Sequence, residues 1–162
     1  VGPSFIVLLG ICALQARNKH NGLTESSFAR RRDTACRTAI RSFFFGQHPA
    51  ALPLYEAFAQ RVSAEISSVR IRVQKTQIAF SNKHNFAFVS FLPVRRAKAR
   101  PADYITVTFG LPYHVESPRI DAATEPYPNR YTHHILISSL EEIDSELLQW
   151  ICEASAFSAA KR

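Results

Sequence analysis

The chain reads as one α+β domain: a mostly antiparallel, twisted sheet of about five or six strands, with an N-terminal and a C-terminal helix packed on one face. Three observations predict this class. Apolar and polar residues alternate through Gln77-Ile78-Ala79-Phe80, Phe86 to Phe91, Ile105-Thr106-Val107-Thr108-Phe109 and Tyr131 to Ile137, the period of two that a strand imposes. Leu54, Phe58, Val62 and Ile66 recur every fourth residue, with Tyr55 and Ala59 widening the stripe, as one face of a helix requires. Ser139-Leu140-Glu141-Glu142 ahead of Ile143, Leu147 and Ile151 has the form of a capping box opening an amphipathic helix. A chain of 162 residues buries about two-thirds of the surface its unfolded form exposes, so a core needs no disulfide or metal.

Taken in order, residues 1–40 form an extension and residues 41–162 the domain. The sequence contains no Met, so Val1 is read as the edge of a fragment or as an alternative start codon translated literally. The apolar run Phe5 to Leu14 is ten residues long, against about twenty for a membrane span, and no basic stretch precedes it as a secretory signal would want. Residues 15–40 are polar and basic around Arg30-Arg31-Arg32, a linker or loosely ordered arm. A helix is predicted over 49–66, with Pro49 and Pro53 confined to its first turn. Val69, Ile71 and Val73 are odd-numbered while Ile78 and Phe80 are even, so Gln74-Lys75-Thr76 must hold a turn or a bulge. Ser81 to Asn85 suits a hairpin connection. Phe86, Phe88 and Leu92 face one way and Ala87, Val89 and Phe91 the other, the pattern of a central strand. Pro93 to Asp103 is a basic loop, and Tyr104 to Phe109 is a strand ending at Gly110. The stretch from Gly110 to Asn129 is long for a connection, and a short strand around His114 to Glu116 would divide it. Pro126-Tyr127-Pro128-Asn129 is a stiff turn before the last strand, Tyr131 to Ser138. The final helix is predicted over 139–154, with Ala154 to Arg162 fraying.

Composition bounds the function more than it names one. Cys12, Cys36 and Cys152 are odd in number and none pairs in Cys-x-x-Cys, which argues against a disulfide framework or zinc ribbon and for a reducing, cytoplasmic setting. The net charge of +7 is unevenly spread: residues 1–100 hold 16 Lys or Arg against 4 acids, and residues 101–162 hold 4 against 9. A basic half can meet phosphates, although Arg70 and Arg72, alternating with Val69, Ile71 and Val73, also fit the solvated face of a half-buried strand. No His-Glu-x-x-His, no glycine-rich phosphate loop and no acid two residues before a Lys occurs, so zincin, nucleotide-loop and common nuclease chemistries lack their spacing. No metal and no cofactor are indicated.

The candidates that remain are groups rather than motifs. His133 and His134 are strand neighbours and point to opposite faces, so they cannot easily chelate one metal; one imidazole lies against the core, either as a hydrogen-bonded structural group or as an acid or base. Lys75, Arg119, Arg130 and one of the histidines can converge on a phosphate or carboxylate, with Tyr127 as a stacking wall. The competing reading pairs Arg119 with Glu116, Asp121 or Glu125. Arg95, Arg96, Lys98 and Arg100 form the loop best suited to nucleic acid, through phosphates rather than bases because no aromatics interleave; a solvated tip is the plainer alternative.

Val73-Gln74-Lys75-Thr76-Gln77-Ile78-Ala79-Phe80, Thr108-Phe109-Gly110-Leu111, Ser117-Pro118-Arg119-Ile120, Glu125-Pro126-Tyr127-Pro128 and Thr132-His133-His134 occur in that order before the helix that ends in Trp150. Together they resemble the bacterial and archaeal family called domain of unknown function 5655, over roughly Phe43 to the C-terminus. The resemblance implies no established activity. It implies a context near nucleic acids, since relatives occur alone or fused to other modules, some nuclease-like. Zinc-ribbon segments ahead of the domain in some relatives have no counterpart in paired cysteines here. The leading expectation is a non-catalytic binding or accessory module for an anionic ligand or nucleic acid. An enzyme using His133 or His134, and a protein-interaction or homodimer module, are the alternatives.

Overall fold

The computed structural model describes Thr38 and residues 40–161; the expectations for residues 1–37, including those for Cys12 and Cys36, lie outside the described residues. A π-helical turn (Ile40–Phe44) and a 3-10 turn (Pro49–Ala51) lead into helix α1 (Leu52–Glu65). Its predicted stripe is the buried one: Leu54, Tyr55, Phe58 and Val62. Six strands follow, β1 (Arg70–Val73), β2 (Gln77–Ser81), β3 (Asn85–Ser90), β4 (Ile105–Leu111), β5 (Ala122–Tyr127) and β6 (Arg130–Ile137), and helix α2 (Ser145–Ala159) closes the domain. They form one sheet in the order β1-β2-β3-β4-β6-β5, antiparallel at every pairing.

One parity on each strand supplies the core. Val73 pairs with Ile78, Ile78 with Val89, Val89 with Val107 and Val107 with Ile135, a row of apolar groups on which the helices pack. Phe80, Phe109, Leu111, Ile137, Phe58, Leu147 and Ile151 complete one continuous cluster. Side chains of the opposite parity point away from the helices. Part of that second face is covered by the chain leaving β3: the Thr106 hydroxyl donates to the Leu92 carbonyl at 2.7 Å, and three residues on, Arg95 reaches Asp121 beside β6. The segment between therefore crosses β4 and β6, which buries Thr106 and Leu136. On the rest of the second face Arg70 and Arg72 are exposed, Phe88, Thr108 and His134 are half-buried, and Ala79 is buried.

Of the turn or bulge predicted at Gln74-Lys75-Thr76 the turn forms, with the Gln74 amide donating to the Gln77 carbonyl at 2.8 Å. Several other sequence expectations need correction. A bulge lies between Phe80 and Ser81, and Phe86 joins Ala87 in the core instead of opposing it. β4 runs through Gly110 to Leu111. No strand forms at His114 to Glu116; the fifth strand is Ala122–Tyr127, paired with β6, so the supposed stiff turn is the end of that hairpin, with Asn129 at a φ of 58° that Asn accepts more readily than most residues. Glu142 does accept from the Ser139 amide at 2.9 Å, but it closes a turn. The helix starts six residues later than predicted, at Ser145, because Asp144 caps it by accepting from the Leu147 amide at 3.0 Å. Nor does the chain fray after Ala154: Ser155 and Ser158 are buried, held by Asn82 at 2.7 Å and by the Asn85 carbonyl at 3.2 Å.

Candidate functional site

The two histidines lie on opposite faces, as their adjacency requires. His133 is fully buried. Its Nε2 accepts from the Val115 amide at 3.0 Å, which leaves the ring proton on Nδ1, where it has no partner among the described residues. The ring stacks on Phe109 at 5.4 Å, and Phe109 stacks on Trp150 at 6.1 Å. Burial first, then the neighbouring His114 and His134, lower its pKa to about 4. Sealed under the segment that follows β4, this imidazole is neutral at neutral pH. His134 is half-exposed on the second face, with Nδ1 2.8 Å from the Thr108 hydroxyl, and burial lowers its pKa as well.

The cations proposed to converge do not. Lys75 sits at the β1–β2 turn on one edge of the sheet, and Arg130 at the β5–β6 turn on the other. The two turns are also at opposite ends, since Gln77 lies level with Ser90 and Thr106 whereas Arg130 precedes the residues level with Leu111. Four strand spacings, about 19 Å across the sheet alone, separate β2 from β5. Arg119 has its fork filled: Nη1 donates to both oxygens of Asp144 at 2.9 Å and to Glu146 at 2.7 Å, and Nη2 to the Glu142 carbonyl at 2.6 Å. Its guanidinium carbon lies 5.8 Å from the Trp150 ring centroid. The partners are thus the acids around the start of α2 rather than Glu116, Asp121 or Glu125, because the chain between β4 and β5 passes beside that helix end. Arg119 is a clamp. Tyr127 is exposed at the hairpin tip, remote from Lys75.

The basic loop divides into two parts. Arg95 binds Asp121 through Nε at 2.5 Å and Nη2 at 3.3 Å, and Asp121 also accepts from the Leu136 amide at 2.7 Å, so Arg95 straps the loop to the sheet. Arg96 and Lys98 are exposed, and Arg100 lies 6.0 Å from the Tyr104 ring centroid. These three flank the end of the second face that Leu92 to Arg95 crosses.

What the fold assembles instead is a row across the second face. Arg72 pairs with Ala79, Ala79 with Phe88, Phe88 with Thr108, Thr108 with His134 and His134 with Ala122. Phe88 is the one large aromatic in this row, set between two small neighbours, and Arg70 lies beside Arg72 on the edge strand. Among the strand residues on this face none is acidic: the alternate positions are Arg70, Arg72, Gln77, Ala79, Phe88, Ser90, Thr106, Thr108, Thr132, His134 and Leu136, with Tyr127 and Arg130 at the β5–β6 end and small residues between. The carboxylates Asp144, Glu146 and Glu153 belong to the helical side, with α2. Sequence reasoning missed Phe88 as a site residue because its strand is apolar on both parities. The available signal was that its own parity otherwise carries Ser90, Thr106 and Thr108.

The fold and this face define a small α+β domain with both helices on one side of a six-stranded antiparallel sheet and a basic, aromatic-bearing face on the other. A family model, Domain of unknown function (DUF5655), matches residues 40–158, and the chain belongs to that family. No curated protein and no solved structure matches the chain. Among the described residues no helix is long and apolar enough to cross a membrane, and no group of three or more His, Cys, Asp or Glu side chains is placed to hold a metal.

Proposed function

We propose that this protein is a non-catalytic, cytoplasmic module that binds single-stranded nucleic acid across the second face of its sheet. The observation that carries the reading is the row Arg72, Ala79, Phe88, Thr108, His134 and Ala122. The half-buried Phe88 ring offers a base a surface to stack on, a contact indifferent to sequence and worth about 1–3 kcal/mol per base. Arg70 and Arg72 on one edge, with Arg96, Lys98 and Arg100 at one end, supply phosphate contacts that follow a strand. The row spans about 24 Å, five strand spacings. A duplex backbone would not bring an unpaired base to Phe88, which favours a single strand.

Fluorescence anisotropy with labelled single-stranded and duplex oligonucleotides tests it. Single strands should bind more tightly than duplex of equal length, and Phe88→Ala should weaken single-strand binding by roughly tenfold to a hundredfold. Equal binding of both forms, or indifference to Phe88→Ala, would refute the reading. Should the face instead join two copies of the chain, sedimentation would show a concentration-dependent dimer that Phe88→Ala dissociates.

A further inference from the structure

A slot opens where β3 and β4 part. Their ladder stops at Ala87 and Phe109, although β3 starts at Asn85 and β4 continues to Leu111. The gap measures about 170 Å³ and is lined by Phe86, Thr108, Gly110 and Thr132 from the sheet, with Ser158 and Lys161 from the end of α2. At about 30 Å³ per water it has room for roughly five. Thr108 and Thr132 belong to the second face, so the slot opens beside Phe88, which also lines it. α2 closes the far side through Ala154 and Ser158. Gly110 helps to keep it open: a Cβ there would meet nothing nearer than the Tyr131 carbonyl at 3.8 Å.

Lys161 and Arg130 lie near one another at this end of the sheet. Lys83 donates to the Lys161 carbonyl at 2.8 Å, and the Lys161 ammonium lies 4.7 Å from the Phe157 ring centroid. Desolvation, and then the charge of nearby Arg130, lower the Lys161 pKa. None of the three cations forms an ion pair with a described residue. With no ion-pair partner among the described residues, the Lys161 and Arg130 charges repel one another, and an incoming anion relieves that repulsion. The Thr132 hydroxyl on the slot wall can donate to its oxygens, whereas Ser158 already donates to the Asn85 carbonyl.

We infer that the slot seats the terminal phosphate monoester of the strand bound across the second face, an assignment that rests on the function proposed above. An internal phosphodiester carries one negative charge and a sugar on each side, which a slot closed at its far end does not admit. A terminal monoester carries a charge between −1.5 and −2 at neutral pH, by order of magnitude, and is attached on one side only. The neighbouring charges of Lys161 and Arg130 match the second species.

The test compares one oligonucleotide sequence carrying an internal dye in three forms: 5′-phosphate, 3′-phosphate, and hydroxyl at both ends. One phosphorylated form should bind the full-length protein roughly tenfold or more tightly than the hydroxyl form, the scale of hydrogen bonds to a charged group. Lys161→Gln, at the rim of the slot, should erase that preference and leave the affinity for the hydroxyl form unchanged, and Gly110→Leu, which fills the slot beside Phe88, should also erase the preference. Thermal melting checks that Gly110→Leu folds, and Lys161→Gln decides alone if it does not. Equal affinity for all three forms, or a preference that survives Lys161→Gln, would overturn the assignment. If no oligonucleotide binds, the reading of the second face fails, and phosphorus NMR with a nucleoside monophosphate judges the slot separately. Line broadening lost in Lys161→Gln supports it, and an unaltered spectrum with the wild-type protein overturns it.

Discussion

His133 ties the fold's stability to pH in a way that can be worked through from its surroundings. Its imidazole is fully buried, and its Nε2 is occupied by the Val115 amide. Protonation would break that bond and place a charge among Phe109, Tyr131 and His114. The folded pKa is accordingly about 4, against 6.5 for a free imidazole. Between those values the unfolded chain binds the proton and the folded chain does not, so stability falls as pH drops through 6.5 and levels off below about 4. At 1.36 kcal/mol per pKa unit the loss across the window is about 3 kcal/mol, a large share of the ~5–15 kcal/mol typical of a domain. His133→Phe removes the titrating group and keeps a ring against Phe109. It also removes the unpartnered Nδ1 proton but strands the Val115 amide; each unsatisfied donor costs about 1–3 kcal/mol, so the two changes offset and the variant should lie near wild type at pH 7.5. Urea unfolding at pH 7.5 and at pH 4.5 would then show a smaller acid loss for the variant by about 2.5 kcal/mol, and NMR titration would find one imidazole titrating near pH 4. An equal acid loss in both proteins, or a titration of His133 near 6.5, would refute the reasoning.

Other consequences are more local. Asp144→Ala removes the α2 cap and one partner of Arg119 and should destabilise the fold by about 1–2 kcal/mol, measured by denaturant unfolding at neutral pH. Burial raises the Asp144 pKa, but the Leu147 amide and Arg119 outweigh it and the net shift is downward from 3.8; the stability it supplies is therefore present above the unfolded pKa and lost as pH falls below it, so the difference between wild type and Asp144→Ala should shrink in strong acid. For nucleic acid, Arg72→Ala should reduce the slope of log affinity against log salt by about 0.7, the single-strand value per neutralised phosphate. Arg119→Ala should leave that slope unchanged while lowering the melting temperature, since its guanidinium is occupied by Asp144 and Glu146.

Legibility in the sequence followed the range of the interaction. The stripe of α1 and the alternation of β2, β3, β4 and β6 were readable because burial acts on every second or every fourth residue of one element, and that period is written along the chain. The start of α2 was misread because two caps compete within six residues. Ser139 and Glu142 satisfy the local pattern, yet Asp144 also gains Arg119, a partner 25 positions away that no local motif includes. β5 escaped notice for a related reason: Ala122 to Tyr127 has no apolar alternation and exists as a strand because β6 offers an unpaired edge.

The candidate site shows the same division more sharply. Adjacency alone put His133 and His134 on opposite faces, and the composition of 93–103 alone marked a basic loop. Which cations meet was not decided there, because strand order fixes it: β1 and β5 are the two edges of the sheet, so Lys75 and Arg130 stand at diagonal corners while Arg130 and Lys161 become neighbours. The chain by itself determined which residues alternate, which are charged and how long each apolar stripe runs, since these are properties of local periodicity. Only the tertiary structure decided that Arg72, Phe88, Thr108 and His134 form one row and that β3 and β4 part to leave a slot, because pairing between strands far apart in sequence sets which side chains share a surface.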